Sequence, residues 1–214
     1  FTATLDEGIA ARAYLPNTEA RIFVLNGAPP GTDGEFAAHR LIPMLNTPQQ
    51  IAAWRGGPAA LHLDSGMCRL GLAPEDVERL SADSAIGGLD IALVMSHLAC
   101  ADDPDLGFSL AQLAEFRGVL ARATDRGLCP PVIHVANSAA LLAGDSLREA
   151  LPEATACRPG LMLYGARPAP HFETPLRPVM TLRAPVVNLR DLEAGESVGY
   201  GATYRCARAT RVAT

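Results

Sequence analysis

The sequence predicts an α/β fold: a parallel (β/α)8 barrel short of one βα unit, followed by the beginning of a β domain. Three observations predict it. Short runs rich in Val, Ile and Leu alternate with longer helical patterns, the signature of repeated βα units. Seven such runs, with six helical patterns between them, fall within about 165 residues, against roughly 250 for a complete barrel with its loops. After Pro168-Ala169-Pro170 the texture changes to apolar and polar residues in alternation, as in a mostly β domain. The domain assignment is therefore 1–175 for the incomplete barrel and 176–214 for the start of the β domain. An open doubly wound sheet is the alternative, although no G-x-G-x-x-G follows any strand.

Taken in order, Phe1 to Thr4 is a short strand, and Leu5 to Pro16 a helix with acidic residues in its first turn and a proline stop. Arg21 to Asn26 reads as a strand, Glu35 to His39 as a short helix and Leu41 to Leu45 as a strand. Thr47-Pro48-Gln49-Gln50 opens the next helix, with Thr as N-cap, Pro at the first helical position and Gln at the capping-box position. Strands follow at Ala59 to Leu63 and Ile91 to Met95, with a helix at Pro74 to Leu80 between them. The longest helix covers 109–125, then come a strand at Val132 to Val135, a helix at Asn137 to Leu142 and a last strand at Cys157 to Leu163. In the β domain, 178–190 and Ser197 to Arg205 read as strands around a turn at Asp191 to Glu196.

Composition narrows the function. With 214 residues, 49% apolar and 19% charged, the chain has ample material for a core, and disordered, collagenous and membrane-spanning classes drop out. A net charge of −5 argues against nucleic acid as partner, since such proteins concentrate positive charge on one face. Five widely spaced cysteines without a C-x-x-C pair fit a reducing cytoplasm better than a disulfide framework, and no ligand cluster supports a metal site. All 18 basic residues are arginine; there is no lysine. The chain begins Phe1-Thr2-Ala3-Thr4 and stops inside the β-branched run Arg211-Val212-Ala213-Thr214, which reads as an internal piece of a longer chain.

In a parallel barrel the reactive groups lie at the C-terminal ends of the strands. There the sequence places Asp64 to Arg69, Ser96-His97, His134 with Asn137-Ser138, and Arg158-Pro159-Gly160. Arginines, histidines, a helix start and free glycine amides together suit an anionic, planar ligand.

HLDSGMCRLGL (62–72), SHLACADDP (96–104), HVANSAALL (134–142), RPGLMLYG (158–165) and AGESVGYGATY (194–204) resemble, in order and spacing, bacterial alanine racemase. LDEGIAARAYLP, the VLNG block and LIPMLNTPQQIAAW extend the resemblance over nearly the whole chain. It implies a barrel carrying pyridoxal 5'-phosphate plus a β domain, and interconversion of L- and D-alanine by two-base proton transfer at Cα. It also implies a cytoplasmic, head-to-tail homodimer acting on a small amino acid.

By this resemblance Arg158 faces the pyridine nitrogen and keeps it unprotonated, a weaker electron sink that favours racemisation over transamination. Ser138 and the amides of Gly160 and Leu161 hold the phosphate, with Asn137 beside them. Arg69 reaches the phenolic oxygen and the substrate carboxylate. Tyr200, given by the partner subunit, is one of the two bases; His97 and Arg158 support it, and His134 holds Arg158.

The opposite base should be the lysine of a VKANAYGHG-like block on the first barrel strand. That block is absent, so the barrel lacks its first strand and the chain by itself is expected to be inactive. His62 stands where many relatives carry a carbamylated lysine that orients the arginine, and Gly199 replaces a frequent serine. Read alone, Arg69 and Arg158 are equally surface ion pairs, the histidines structural groups, Ser138 a helix cap and 199–201 a hairpin turn. A racemase of another small amino acid such as serine, and an inactive cofactor-barrel scaffold, are the competing functions.

Overall fold

Threonine caps start the first and third helices where the sequence predicts. In the computed structural model, which describes residues 1–82 and 86–214, helix α1 (Leu5–Tyr14) begins at Thr4. The Thr4 hydroxyl accepts from the Glu7 amide at 3.3 Å, and Glu7 Oε2 accepts in return from the Ala3 amide at 2.7 Å. Strand β1 (Ile22–Val24), helix α2 (Asp33–Ala38) and strand β2 (Leu41–Leu45) follow. Helix α3 (Pro48–Ala53) is capped by Thr47, whose hydroxyl accepts from the Gln50 amide at 3.1 Å. Beyond it lie β3 (Ala59–His62), α4 (Pro74–Ala82), β4 (Ile91–Met95), α5 (Gly107–Thr124), β5 (Ile133–His134), α6 (Ser138–Leu142) and α7 (Asp145–Ala150).

These elements belong to the first of two units, Phe1–Pro178. Its strands form one parallel sheet in the order β1-β2-β3-β4-β5, as the alternation of strands and helices requires. Both faces are covered. Ile22, Val24, Leu41, Leu45, Leu61 and Val94 pack against Phe36, Ile51, Leu113 and Phe116 from the helices. The alternate residues, Phe23, Ile42, Met44, Ala60, Leu93 and Met95, form a second cluster on the other face. Because side chains alternate along a strand, the same parity carries Asn46, His62 and His134 onto that second face. A barrel interior is filled by layers of this kind. Met95 registers with His62 on one side and His134 on the other.

Where the sequence reading and the structure differ, backbone chemistry explains it. Phe1 to Thr4 contributes one parallel bridge, Thr2 to Val24, rather than a strand. The predicted strand Cys157 to Leu163 is not one: Pro159 lacks a donor for the ladder, and Leu161–Tyr164 winds into a single 3-10 turn. The segment still lies alongside β5, since the Thr155 amide donates to Ile133 O and the Arg158 amide to Ala136 O, both at 2.8 Å. The sheet thus has five strands rather than seven. Helix α7 was not anticipated; Gly144, at φ 83°, separates it from α6.

Val179–Thr214 forms the second unit. Strand β6 (Leu189–Leu192) pairs antiparallel with β9 (Thr210–Ala213), and β7 (Ser197–Val198) with β8 (Tyr204–Arg205). Only the last two residues of the predicted strand 178–190 are in β6, and the predicted turn begins two residues late, at Glu193. Pro178 and Pro185 offer no amide to a ladder. The predicted strand Ser197 to Arg205 is broken because Gly199 and Gly201 sit at φ 75° and 72°, turning Tyr200–Ala202 into a 3-10 element. Among the described residues, no helix is long and apolar enough to cross a membrane.

One arginine that the sequence reading left unassigned ties the sheet's first elements together. Arg12, 7% exposed, donates from Nε to His39 O (3.1 Å) and from Nη2 to Ala20 O (2.8 Å) and Arg40 O (3.0 Å). These carbonyls lie in the α1–β1 and α2–β2 connections, so one fixed fork of donors ties two loops together. Arg12→Met keeps the aliphatic stem and removes every donor. It should lower unfolding free energy by about 3 kcal/mol in a urea titration, because the carbonyls lose a charged partner.

Candidate functional site

The site is built at the C-terminal ends of β3, β4 and β5, and Arg158 is its centre. Coming off the segment that lies beside β5, the Arg158 side chain runs under the ends of two strands. Its Nη2 donates to Ser96 O at 2.9 Å and to His97 Nδ1 at 2.8 Å, and its Nη1 donates to His134 Nδ1. None of the ion pairs among the described residues involves Arg158 or Arg69. The plain salt-bridge reading of these arginines therefore has no partner to rest on.

A guanidinium has donors only, so both imidazoles must accept at Nδ1, and the hydrogen-bond network assigns each remaining proton to Nε2. Burial first, and the Arg158 cation second, depress both rings, His97 to about 4 and His134 to about 3. Arg158 itself is lowered by burial to about 10, opposed by Cys157, and stays a cation at neutral pH. The result is one fixed positive charge held between two neutral imidazoles. The Phe1 ring lies beside this group, stacked on Phe23 at 5.0 Å, edge-on to His134 at 5.2 Å and 5.7 Å from the guanidinium carbon.

Ser138, Gly160 and Leu161 are brought together. Ser138 Oγ accepts from the Met162 amide at 3.2 Å, in the 3-10 turn that Gly160 and Leu161 open. The helix cap is Asn137, not Ser138: Asn137 Oδ1 accepts from the Ala140 amide at 3.0 Å, and its Nδ2 donates to Leu98 O at 3.3 Å. Both polar ends of Asn137 are thus engaged by the protein. Arg69 is exposed, in a loop that Asp64 shapes: Asp64 Oδ1 accepts from the amides of Gly66, Met67 and Cys68 at 3.0 to 3.1 Å. Tyr200 belongs to the second unit, fully exposed between its two glycines.

His62 is committed elsewhere. Asn46 Nδ2 donates to Leu25 O and Met44 O, both at 2.8 Å, which turns Asn46 Oδ1 toward His62 Nδ1 at 3.1 Å. His62 is therefore the donor of that pair. Burial, followed by the nearby Arg158 charge, lowers it to about 4, so position 62 carries no charge at neutral pH.

A family model described as alanine racemase, N-terminal domain, matches residues 1–168, and one described as alanine racemase, C-terminal domain, matches 179–214. The chain belongs to the alanine racemase family. A relative named catabolic alanine racemase, from Agrobacterium fabrum, is 40% identical over all of this chain and 55% of its own length. An alanine racemase from Acidiphilium cryptum is likewise 40% identical, over 59% of its length. Among solved structures, alanine racemase from Streptomyces coelicolor superposes with a TM-score of 0.79 at 34% identity, covering 99% of this chain and 59% of that one. That from Bartonella henselae, described with covalently bound pyridoxal phosphate, gives 0.79 at 30% identity, covering 99% and 58%. The chain thus spans a little over half the length of these racemases.

Two contributors escaped the sequence reading, Asn46 and Gln112 of α5, while Ser96, placed at a strand end by the sequence, contributes through its carbonyl. A polar residue within an apolar stripe was the available signal. Gln112 falls in the buried series Ser109, Leu113, Phe116, Val119, Leu120 of α5.

Proposed function

We propose that the gene product carrying this chain interconverts L- and D-alanine with pyridoxal 5'-phosphate. The observation that carries the reading is the half-buried Arg158 cation, donating to two neutral imidazoles and a strand-end carbonyl. The donor set fits the cofactor: a permanent cation to face a ring nitrogen, and beside it a serine hydroxyl on a turn of backbone amides for a phosphate dianion. Pyridoxal phosphate, when bound, supplies a conjugated ring that accepts negative charge from Cα.

In this reading Arg158 holds the ring nitrogen in its unprotonated state, because a guanidinium only donates: it can place an N–H on the nitrogen's lone pair but cannot accept from a protonated ring nitrogen. His134 keeps the guanidinium in its plane. Ser138 and the amides of Gly160 and Leu161 bind the phosphate, with Asn137 fixing the start of α6 beneath them. Arg69 binds the substrate carboxylate and the cofactor's phenolic oxygen. Tyr200 of the partner subunit moves the Cα proton on one face through its phenolic oxygen, supported by His97, whose Nε2–H is the free end of the Arg158 contact. This makes the working unit a homodimer, with 1–175 as cofactor-binding barrel and 176–214 as the start of the β domain. These 214 residues contain no lysine, so the amine that attaches the cofactor and serves the other face is not among them. Five free cysteines support a reducing, cytoplasmic setting.

The test is L-alanine in deuterated water with the whole gene product and pyridoxal phosphate. Deuterium should enter Cα as optical rotation decays, and kcat/KM should favour alanine over serine. An unchanged α-proton would defeat the proposal. Preference for serine would move it to the neighbouring substrate, and binding of the cofactor without exchange would leave a scaffold.

A further inference from the structure

We infer that Gln112 is the positioning residue that sets His97 against Arg158; this rests on the racemase reading of the site. Gln112 is 2% exposed, on the face of α5 that otherwise buries Leu113, Phe116 and Val119. A leucine would fill such a place. An amide there is costly unless both its ends are bonded, and both are bonded to the loop after β4. Gln112 Oε1 accepts from the Ala99 amide at 2.9 Å, and Nε2 donates to His97 O at 3.3 Å.

The loop has few other anchors. Asn137 Nδ2 donates to Leu98 O at 3.3 Å, so three consecutive residues, 97 to 99, are held through their backbone by the buried Gln112 and the half-buried Asn137. The His97 ring is fixed at Nδ1 by Arg158 at 2.8 Å, and its backbone by Gln112. Those two contacts define where its Nε2–H points. Gln112 also underlies the loop after β3: a Cβ on Gly66, at φ 118°, would meet Gln112 Cγ at 3.6 Å. Gln112 therefore bonds the His97 loop and lies next to the loop that leads to Arg69. A shift of about an ångström in a supporting group costs up to about 100-fold in rate, so the role is measurable although Gln112 touches neither substrate nor cofactor.

Its chemistry provides a test that simple packing does not. Gln112→Glu as the neutral acid still accepts from Ala99 and donates to His97 O; ionised, it repels that carbonyl. Burial raises such a carboxyl into the working pH range. In the whole gene product loaded with pyridoxal phosphate, kcat/KM for alanine, divided by that of the unmodified protein, should stay near one at low pH. It should fall roughly 10- to 100-fold through one added ionisation as pH rises. Gln112→Met, similar in volume with no hydrogen bonds, should lose a comparable factor at every pH while melting as a folded protein. A Gln112→Glu profile parallel to that of the unmodified protein overturns the inference, as does a folded Gln112→Met within twofold of it. Should Gln112→Met fail to fold, the glutamate profile decides alone. If the unmodified protein itself exchanges no α-proton, it is the racemase reading that has failed.

Discussion

Arg158→Gln is expected to reduce alanine racemisation by the whole gene product roughly 100-fold, the cost of removing one aimed, charged donor. The glutamine keeps one NH2 group and loses the charge. It cannot reach Ser96 O, His97 and His134 together, as the guanidinium does. The Arg158 charge is, after burial, the next cause holding His97 and His134 below the usual range. Removing it lets both rings rise toward 6.5. The acid limb of the kcat/KM profile should therefore move to higher pH, because His97 must be neutral to keep its Nδ1 contact and single Nε2 proton. Initial rates of α-proton exchange between pH 5 and 9 measure both effects. A variant within threefold of the unmodified protein and with an unmoved acid limb would show that the guanidinium is structural only.

Much of this arrangement was legible in the residues, and the part that was not has a physical reason. Reactive groups in a parallel barrel gather at the C-terminal ends of the strands, so His97 just past β4, His134 at the end of β5 and Arg158 on the segment beside it could be picked from position and chemistry. The resemblance to alanine racemases then supplied roles for them. What the sequence hid is tertiary. Arg12 reads as the last-turn cation of α1, and only the folded chain shows it tying two loops together. His62 reads as a substitute for a charged residue, yet Asn46, sixteen positions earlier, accepts from its Nδ1, and burial, followed by the Arg158 charge, leaves it neutral. Nor could the two broken strands be avoided in a periodicity reading: Pro159 and the pair Gly199 and Gly201 interrupt ladders whose apolar pattern continues through them. Gln112 lay in view as a polar residue on a buried face, but its partners are backbone groups, which carry no sequence signal.

Acid should destabilise this fold well before its carboxylates are titrated. His62, His97 and His134 are held neutral in the folded protein, at about 4, 4 and 3, while in the unfolded chain each takes a proton near 6.5. Above pH 6.5 both states are neutral and the histidines contribute no pH dependence. As pH falls from 6.5 toward 4 the unfolded state binds protons that the native state refuses, and stability drops. For His62, buried under the Gly71 turn with its Nδ1 on Asn46, the shift corresponds to about 3 kcal/mol over the full window and about 2 kcal/mol between pH 7 and 5. Around it Arg158, His97 and Arg69 oppose its protonation, and Asp64 alone favours it. Urea unfolding of the whole gene product at fixed protein concentration should thus give a free energy several kcal/mol lower at pH 5 than at pH 7. In His62→Gln, whose amide can still donate toward Asn46 Oδ1, that difference should shrink by about 2 kcal/mol. Equal pH dependence in the two proteins would mean that His62 titrates normally in the folded state, and that the charge-free layer of Asn46, His62 and His134 beneath Arg158 does not exist.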